Sequence, residues 1–242
     1  MIGQKNMISN DQILNLSKTY QIDRFTIIRE YLQLIFLSFL YQEKNANKFY
    51  FKGGTALRLL YASPRFSEDL DFSTKADSLE IDELLKKVEL RMKSEFKGIE
   101  IVKIWQGKDG IRYRIHFSGL DLKFPLNLRL DFHQTKVIGD FQISTLKTNF
   151  PVLVFPQISH LSIDAILEEK IKALETRNKG RDIFDIWFLL MKGVNHREFS
   201  KIAIDNLKKF PEKKIESDLA VFLPKGQKNI IPLLIEEILK LL

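Results

Sequence analysis

Two aspartates, Asp69 and Asp71, have the type and spacing that most directly suggest chemistry. They alternate with the apolar Leu70 and Phe72 in the segment Glu68 to Ser73, and this alternation predicts a β-strand. Because strand side chains repeat every two residues, both carboxylates project from one face. Hard oxygen ligands that converge on one point are what Mg²⁺ binds. The spacing therefore predicts a divalent-cation site on one face of a sheet.

A third carboxylate is available on a second predicted strand, Leu126 to His133, which also alternates between apolar and polar residues. Asp131 is on its polar side, so it completes the metal site if this strand pairs beside the first. His133 lies on the same face as Asp131. The four histidines show no ligand spacing and are expected on the surface or in the core: His116, His133, His160 and His196.

A glycine turn precedes the aspartates. Lys52, Gly53 and Gly54 connect a strand-like run, Lys48 to Lys52, to a predicted helix, Thr55 to Tyr61. Glycines let the backbone approach phosphate oxygens, and a helix N-terminus offers free N–H groups and a favourable dipole. The Thr55 hydroxyl can add to this cradle. A Gly-Gly turn alone is also an ordinary tight turn, and an isolated Asp-x-Asp is usually a solvated strand edge. Their order along the chain, with Arg65 and Ser67 between them, indicates a joint phosphate and metal site.

A lysine lies in the apolar face of a later predicted helix, Ile163 to Arg177. Lys170 falls in the middle of that face on a helical wheel, whereas Lys172 lies on the opposite side. A lysine in this position either extends its ammonium group to water or meets a negative group such as a triphosphate.

The next predicted helix, Arg181 to Met191, is apolar nearly all round and is expected to be buried. Asp182 and Asp185 are three residues apart and share one stripe, so buried carboxylates there require partners such as Lys170, Arg181 or a metal-bound ligand. Asp182 is also explained as a first-turn residue favoured by the helix dipole. Arg181 pairs either with phosphate or with Asp185, and the sequence does not separate the two.

These motifs resemble those of the AbiEii/AbiGii nucleotidyltransferase toxins of bacterial type IV toxin–antitoxin systems, within the DNA polymerase β-like superfamily. The resemblance covers about residues 50 to 190 and is carried by Lys52-Gly53-Gly54-Thr55-Ala56-Leu57, Arg65-Phe66-Ser67-Glu68-Asp69-Leu70-Asp71-Phe72, Glu169-Lys170 and Lys179-Gly180-Arg181-Asp182-Ile183-Phe184-Asp185. It implies a bilobed fold, metal-bound Asp69 and Asp71, and nucleotide contacts from Lys170 and Asp185.

The expected reaction is transfer of a nucleoside monophosphate from an NTP to an acceptor hydroxyl, with Mg²⁺ as cofactor and with catalysis by Asp69, Asp71, Asp131, Lys170 and Asp185. The resemblance implies an RNA acceptor such as a tRNA 3′ end, a cognate antitoxin as partner and a role in phage defence. The residues expected to bind the nucleotide are Lys52, Gly53, Gly54, Thr55, Arg65, Ser67, Lys170, Arg181 and Asp182.

The order of predicted elements, strands followed by helices, indicates an α+β fold. A polymerase β-like nucleotidyltransferase lobe with a mixed sheet is expected over residues 1–160, and a helical lobe that completes the nucleotide cleft over residues 161–242. The remaining predicted elements are helices at Asp23 to Glu43, Leu79 to Phe96, Glu198 to Lys209 and Ile230 to Leu242, and strands at Ile99 to Trp105 and Ile111 to Phe117.

Composition narrows the class further. Cysteine is absent from the 242 residues, which excludes disulfides, a thiolate nucleophile and Cys-ligated zinc. The apolar run Leu34 to Leu40 is too short for a membrane span, and Met1 to Tyr20 lacks the apolar region of a secretory signal. We therefore expect a cytoplasmic protein with no membrane partner. The net charge of +7 favours a polyanion, with one local lysine cluster at Lys208, Lys209, Lys213 and Lys214.

Two other functions fit parts of the sequence. The first is a transferase that modifies a small molecule or a protein side chain. The second is a catalytically inactive module of the same fold that binds RNA or an antitoxin. The intact carboxylates count against the second, because a binding module has no need to cluster negative charge where RNA must approach.

Overall fold

The computed structural model describes residues 8–120, 122–152, 154–177, 179–194 and 199–242. Its helices are α1 Asn10–Tyr20, α2 Arg24–Leu40, α3 Gly53–Tyr61, α4 Ser78–Glu95, α5 Ile163–Thr176, α6 Gly180–Met191, α7 Lys201–Lys208, α8 Glu212–Leu219 and α9 Leu234–Leu241. Its strands are β1 Phe49–Lys52, β2 Leu70–Thr74, β3 Ile99–Gly107, β4 Gly110–Phe117, β5 Leu126–Gln134, β6 Phe141–Thr145 and β7 Gln157–Leu161.

The strands form one seven-stranded sheet in the order β3-β4-β5-β2-β1-β7-β6. β2 pairs with β5 and β1 pairs with β7 in parallel, and the other neighbours are antiparallel. The expected α+β fold with a mixed sheet is therefore confirmed. The pairing of β2 beside β5 is what the metal-site prediction required, because these strands carry the aspartates.

Strands β2 and β5 bury the apolar residues on one face of the sheet and carry their acidic residues on the other. Leu70 and Phe72 on β2 and Leu130 and Phe132 on β5 are fully buried. Phe72 stacks on Phe132 with ring centroids 5.0 Å apart. The alternation read from the sequence is thus the alternation between a core face and a carboxylate face.

Helix α2 covers the core, and its apolar run Leu34 to Leu40 is buried apart from the half-exposed Phe39. Among the described residues, no helix is both long enough and apolar enough to cross a lipid bilayer. The run is therefore core-forming, as its length predicted.

Side-chain caps fix several helix starts near the predicted positions. Asp77 and Glu80 form a capping box at the start of α4, and Ser162 accepts a hydrogen bond from the Ala165 backbone N–H at the start of α5. Such caps satisfy N–H groups that have no partner inside the helix. Helix α3 has no side-chain cap at its N-terminus.

Some elements differ from the sequence-based prediction. Helices α1 and α8 and strands β6 and β7 were not predicted. The last helix begins at Leu234 rather than at Ile230, because a 3₁₀ segment containing Pro232 precedes it. Helix α7 begins after its cap, Ser200, and the predicted start at Glu198 lies outside the described residues. The division into two lobes near residue 160 stays a prediction.

Candidate active site

The expected carboxylates meet on adjacent strands. Asp71 on β2 and Asp131 on β5 are direct register partners in the parallel pair, and Lys52 on β1 is the partner of Asp71 on the other side. Asp69 lies two residues before Asp71 and immediately before β2. The structure therefore brings all three predicted metal ligands together on one face of the sheet. We call Asp69, Asp71 and Asp131 the carboxylate edge.

Two arginines that the sequence did not single out balance this charge. Arg129 forms ion pairs with both Asp69 and Asp131, and the Arg112 Nε donates to the Asp131 carboxylate. Arg112 and Asp131 are register partners on β4 and β5. The strand alternation placed Arg129 on the polar face with Asp131, but only the pairing shows that both arginines contact the aspartates.

The neighbouring carboxylates raise the pKa values of Asp71 and Asp69. Burial and the nearby charges of Asp69 and Asp131 raise the pKa of Asp71 to about 6. Burial also raises the pKa of Asp69, and the Arg129 guanidinium opposes that shift. Like charges held together in a partly buried place favour the protonated form. A bound cation would relieve this repulsion.

The donor set fits a hard divalent cation in its chemistry, because three carboxylates share one face and two of them have raised pKa values. Within the described ranges, however, no three His, Asp or Glu side chains are close enough to hold a metal as they stand. Arg129 lies between Asp69 and Asp131. Binding of a cation by all three carboxylates therefore requires Arg129 to move aside.

The two glycines of the turn have separate steric reasons. Gly53 has φ +78°, and a Cβ there would lie 2.3 Å from the Asp71 Oδ2 atom. A Cβ on Gly54 would lie 2.1 Å from Arg65 Nη2 and 3.0 Å from Ser67 Oγ. The glycines therefore make room for the side chains that build the site. The role of their N–H groups as a phosphate cradle stays a prediction.

Thr55 contributes a hydrogen bond to the site from a buried position. It is buried, and its hydroxyl donates to the Asp69 backbone carbonyl at 2.5 Å. A phosphate oxygen needs a donor, and this donor is already used. The geometry thus favours Thr55 as a residue that positions Asp69 over one that contacts phosphate directly.

Arg65 and Asp185 form a buried bidentate pair. Arg65 Nε and Nη2 donate to the two Asp185 oxygens at 2.8 Å each, and Nη1 donates to the Phe66 carbonyl. Arg65 is 2% exposed and Asp185 is 0% exposed. Both were expected to contact the nucleotide, but their closed geometry favours a positioning role. The pair fastens α6 to the glycine turn.

Lys170 joins Asp185 to Asp182. Its ammonium lies 2.7 Å from Asp185 and 2.9 Å from Asp182, and Arg177 also pairs with Asp182 at 2.7 Å. The expectation that Lys170 neutralises the buried carboxylates is confirmed. An ammonium group has three N–H donors, so these ion pairs leave one for another acceptor. Lys170 also acts electrostatically on Asp71, so its positive charge lies near the carboxylates of the sheet.

The carboxylates of this buried cluster have lowered pKa values. Lys170 and Arg177 hold the pKa of Asp182 at about 2 against the effect of burial. Arg65 and Lys170 lower the pKa of Asp185 in the same way. We call Arg65, Lys170, Arg177, Asp182 and Asp185 the buried ion cluster. Its cations stabilise the ionised form of its carboxylates, whereas the pKa values of Asp69 and Asp71 at the carboxylate edge are raised.

Arg181 pairs with neither Asp185 nor Asp182. It lies 3.2 Å from Glu68, and Arg29 of α2 approaches the same carboxylate at 3.7 Å. Arg29 comes from a region without a recognised motif and was missed. Both arginines act electrostatically on Asp69, so they add positive charge beside this residue, whose backbone carbonyl accepts the Thr55 hydrogen bond. Lys52 pairs with Glu169 at 2.7 Å and links the turn to α5.

The histidines match the expectation of surface or core roles where the structure describes them. His160 is buried and contacts Ser144 Oγ at 2.9 Å and the Leu161 carbonyl at 2.8 Å. His133 is exposed on the carboxylate face. His196 lies outside the described residues.

A cavity of about 380 Å³ opens over two of the three carboxylates, Asp71 and Asp131, and is also lined by Lys52, Arg112 and Trp105 of β3. A larger cavity of about 810 Å³ lies beside the C-terminal half of α3, and its lining includes Arg58 and Glu30 but none of the three aspartates. The smaller cavity is therefore the one that belongs to the site.

Comparison with known proteins agrees with this arrangement. A family model described as the nucleotidyl transferase AbiEii toxin of type IV toxin–antitoxin systems matches residues 35–238. No curated protein gives a significant match. The structure of JHP933 from Helicobacter pylori is similar, with a TM-score of 0.62 and 22% identity over 91% of this chain and 93% of that one. MenT4, a nucleotidyltransferase toxin from Mycobacterium tuberculosis, has a TM-score of 0.66 and 16% identity over 97% and 90%.

The two structural relatives share the fold with this chain, and the family match covers both the carboxylate edge and the buried ion cluster. The chain belongs to the AbiEii family of nucleotidyltransferase toxins of type IV toxin–antitoxin systems.

Proposed function

We propose that the chain transfers a nucleoside monophosphate from an NTP to an RNA hydroxyl, with Mg²⁺ held by Asp69, Asp71 and Asp131. The observation that carries the proposal is the register pairing of Asp71 with Asp131 beside the glycine turn. A cation bound there supplies charge neutralisation for the triphosphate and orients the reacting oxygens. The cytoplasm, where NTPs and RNA are available, is the expected place of action.

The positive groups on the glycine-turn side suit a triphosphate. The N-terminus of α3 has no side-chain cap, and Arg29 and Arg181 both approach Glu68, the residue before Asp69. The Lys170 ammonium group adds positive charge near Asp71. Backbone N–H groups and arginines are the usual partners of phosphate. This side of the carboxylates therefore takes the β- and γ-phosphates.

The reaction forms one bond and breaks one bond at the α-phosphorus. The acceptor oxygen attacks, the bond from phosphorus to the α,β-bridging oxygen breaks, and pyrophosphate leaves with that electron pair. The acceptor proton goes to a carboxylate, for which Asp131 is placed farther from the glycine turn than Asp71. Arg65, Lys170 and Asp185 keep the turn and α5 in register during this step.

RNA is the proposed acceptor because the chain carries a net charge of +7 and because arginines surround the carboxylates. A polyanion would otherwise be repelled by Asp69, Asp71 and Asp131. A cognate antitoxin, which the family implies, would restrain the reaction in the cell, and protection against phage is the role we propose for the pair.

The test is to incubate the purified protein with each labelled NTP, Mg²⁺ and total RNA, and then to separate RNA, protein and small molecules. Label on RNA supports the proposal. Label only on protein or on a small molecule would overturn the acceptor and favour the alternative transferase. The Asp71→Asn variant is the matched control, because it keeps the shape of the side chain and removes its charge.

Magnesium is tested by adding EDTA and then restoring single divalent cations. Transfer is expected to stop with EDTA and to return with Mg²⁺. Full activity in EDTA would overturn the assignment of Asp69, Asp71 and Asp131 as metal ligands.

A further inference from the structure

A single row of register partners crosses five strands of the sheet. It begins at Lys52 on β1 and passes through Asp71 on β2, Asp131 on β5 and Arg112 on β4. It ends at Trp105 on β3, which is the register partner of Arg112. Register partners point to the same side of a sheet. Trp105 therefore lies on the carboxylate face, two strands beyond Asp131.

A β-bulge puts Trp105 on that face. The register shifts between Lys103 and Trp105, so that Lys103 pairs with Tyr113 whereas Trp105 pairs with Arg112. Lys103 and Tyr113 both contact Asp82 of α4, on the core side of the sheet. Residues two apart in a regular strand share a face. Without the extra residue, Trp105 would also point toward α4.

The indole is exposed and yet held in place. Trp105 is 52% exposed, and the Arg112 guanidinium lies 5.9 Å from its ring centroid. A Cβ on Gly107 would lie 2.3 Å from the indole Cζ2 atom, so glycine at this position makes room for the ring. The ring lines the 380 Å³ cavity that Asp71 and Asp131 share. A large exposed apolar ring in a polar cavity has an open face for a flat ligand.

The position of Trp105 relative to the glycine turn indicates which flat ligand binds to its ring. In an in-line displacement, the attacking oxygen and the leaving pyrophosphate are on opposite sides of the α-phosphorus. The proposed triphosphate side is the glycine turn next to β1, so the acceptor approaches from the side of β4 and β3. Strands are about 4.8 Å apart, which places Trp105 about 10 Å from Asp131. One nucleotide, with its sugar and base, spans such a distance.

We propose that Trp105 is the platform on which the base of the acceptor nucleotide stacks, and that Arg112 binds the adjoining phosphate of a single-stranded RNA end. The proposal rests on the proposed function, because it identifies the acceptor side of the same site. Stacking on an aromatic ring holds an unpaired base without selecting its identity. The chain would therefore take RNA ends through their unpaired bases and not through a folded duplex.

Fluorescence can test this directly, because the chain has two tryptophans. The second, Trp187, lies in α6, so Trp187→Phe leaves Trp105 as the single reporter. This variant is titrated with a single-stranded oligoribonucleotide in Mg²⁺, with an abasic oligomer of the same length as control for backbone charge. Quenching by the first and not by the second is the expected result. The same titration with each NTP alone should leave the emission unchanged.

Binding and kinetic measurements on single variants that keep Trp187 provide an independent test. Trp105→Ala should raise the Kd and the KM for the oligoribonucleotide about tenfold, as expected for the loss of one base stack, and leave the KM for NTP unchanged. Trp105→Phe should recover most of the affinity because it keeps an aromatic face. Gly107→Ala should also weaken RNA binding, since it keeps the indole but fills its place. Phe124→Ala removes another exposed ring, at the opposite end of β4 and β5, and should have no effect.

Three outcomes would overturn the proposal: quenching of Trp105 by NTP alone, equal quenching by the abasic oligomer, or unchanged RNA affinity in Trp105→Ala. If Trp187→Phe does not fold, the difference in emission between wild type and Trp105→Ala reports the same signal. The titration needs no transfer reaction. It can therefore fail while label still reaches RNA, and it can succeed while transfer to RNA fails.

Discussion

The carboxylate edge and the buried ion cluster use the same residue types to opposite effect. At the edge, Asp69, Asp71 and Asp131 repel one another, and the pKa of Asp71 is raised to about 6. In the cluster, Asp182 and Asp185 are enclosed by cations, and the pKa of Asp182 is lowered to about 2. A carboxylate in the cluster stabilises the fold, whereas a carboxylate at the edge costs stability until a cation arrives. The site thus combines carboxylates that repel one another with a buried ion cluster that stabilises the fold.

The largest effect is expected from Asp71→Asn, which should reduce transfer more than about a thousandfold, or about 4 kcal/mol. The carboxylate charge is lost where the cation is expected to bind. Without Mg²⁺, the free energy of unfolding should stay the same or rise, because repulsion is relieved. Rates from labelled NTP and urea unfolding check the two parts. A variant that transfers at the wild-type rate would remove Asp71 from the catalytic set.

Asp185→Asn should act in the opposite way on stability. It leaves Arg65 and Lys170 buried with less compensating charge, and the free energy of unfolding should fall by about 3 kcal/mol. Urea unfolding of both variants in EDTA makes the comparison directly. If Asp71→Asn destabilises the fold more than Asp185→Asn does, the distinction between edge and cluster fails.

Lys170→Ala should impair NTP use far more than Lys172→Ala. Lys170 is 8% exposed and faces the cluster, whereas Lys172 is exposed on the same helix. The loss of a charge-assisted contact costs about 1.5–3 kcal/mol, seen as a higher KM for NTP. Greater damage from Lys172→Ala in NTP titrations would contradict the assigned face.

The ion pairs of Asp182 should make the free energy of unfolding depend on pH in the acid range. The folded pKa of Asp182 is about 2 against an ordinary value of 3.8, so its ionised form stabilises the fold fully above about pH 4. That contribution, about 2 kcal/mol, is lost as the pH falls from about 4 towards 2. Unfolding of wild type and Asp182→Asn across this range is the measurement. The curves should converge at the acid end, and parallel curves would contradict the assignment.

The smallest effect is expected from the exposed lysines. Replacing Lys208, Lys209, Lys213 and Lys214 by Gln should weaken RNA association and flatten its salt dependence by roughly 0.7 in log slope for each lysine that contacts a phosphate. NTP binding should be nearly unchanged. An unaltered salt slope would remove this surface from the RNA path and leave the carboxylate edge unaffected.

Local patterns were sufficient to predict much of the fold and of the site. Period-two alternation identified β2 and β5 and the face of Asp69, Asp71 and Asp131, because side chains along a strand point alternately to its two faces. The helical wheel likewise placed Lys170 on the buried face of α5. Helices α1 and α8 and strands β6 and β7 were missed, since short elements with weak periodicity depend on the core that they pack against.

The sequence alone therefore determined which residues carry charge, which face they occupy and, by resemblance, the family to which the chain belongs. The tertiary structure decided the partners: Arg65 with Asp185, 120 positions apart, Arg181 with Glu68, and Arg129 with Asp69. It also decided the face of Trp105, because one extra residue in β3 reverses the alternation and only the register against β4 reveals it. Partners and bulges depend on which strands and helices the folded chain brings together, and a shift of one residue in register moves the side chains to the other face of the sheet.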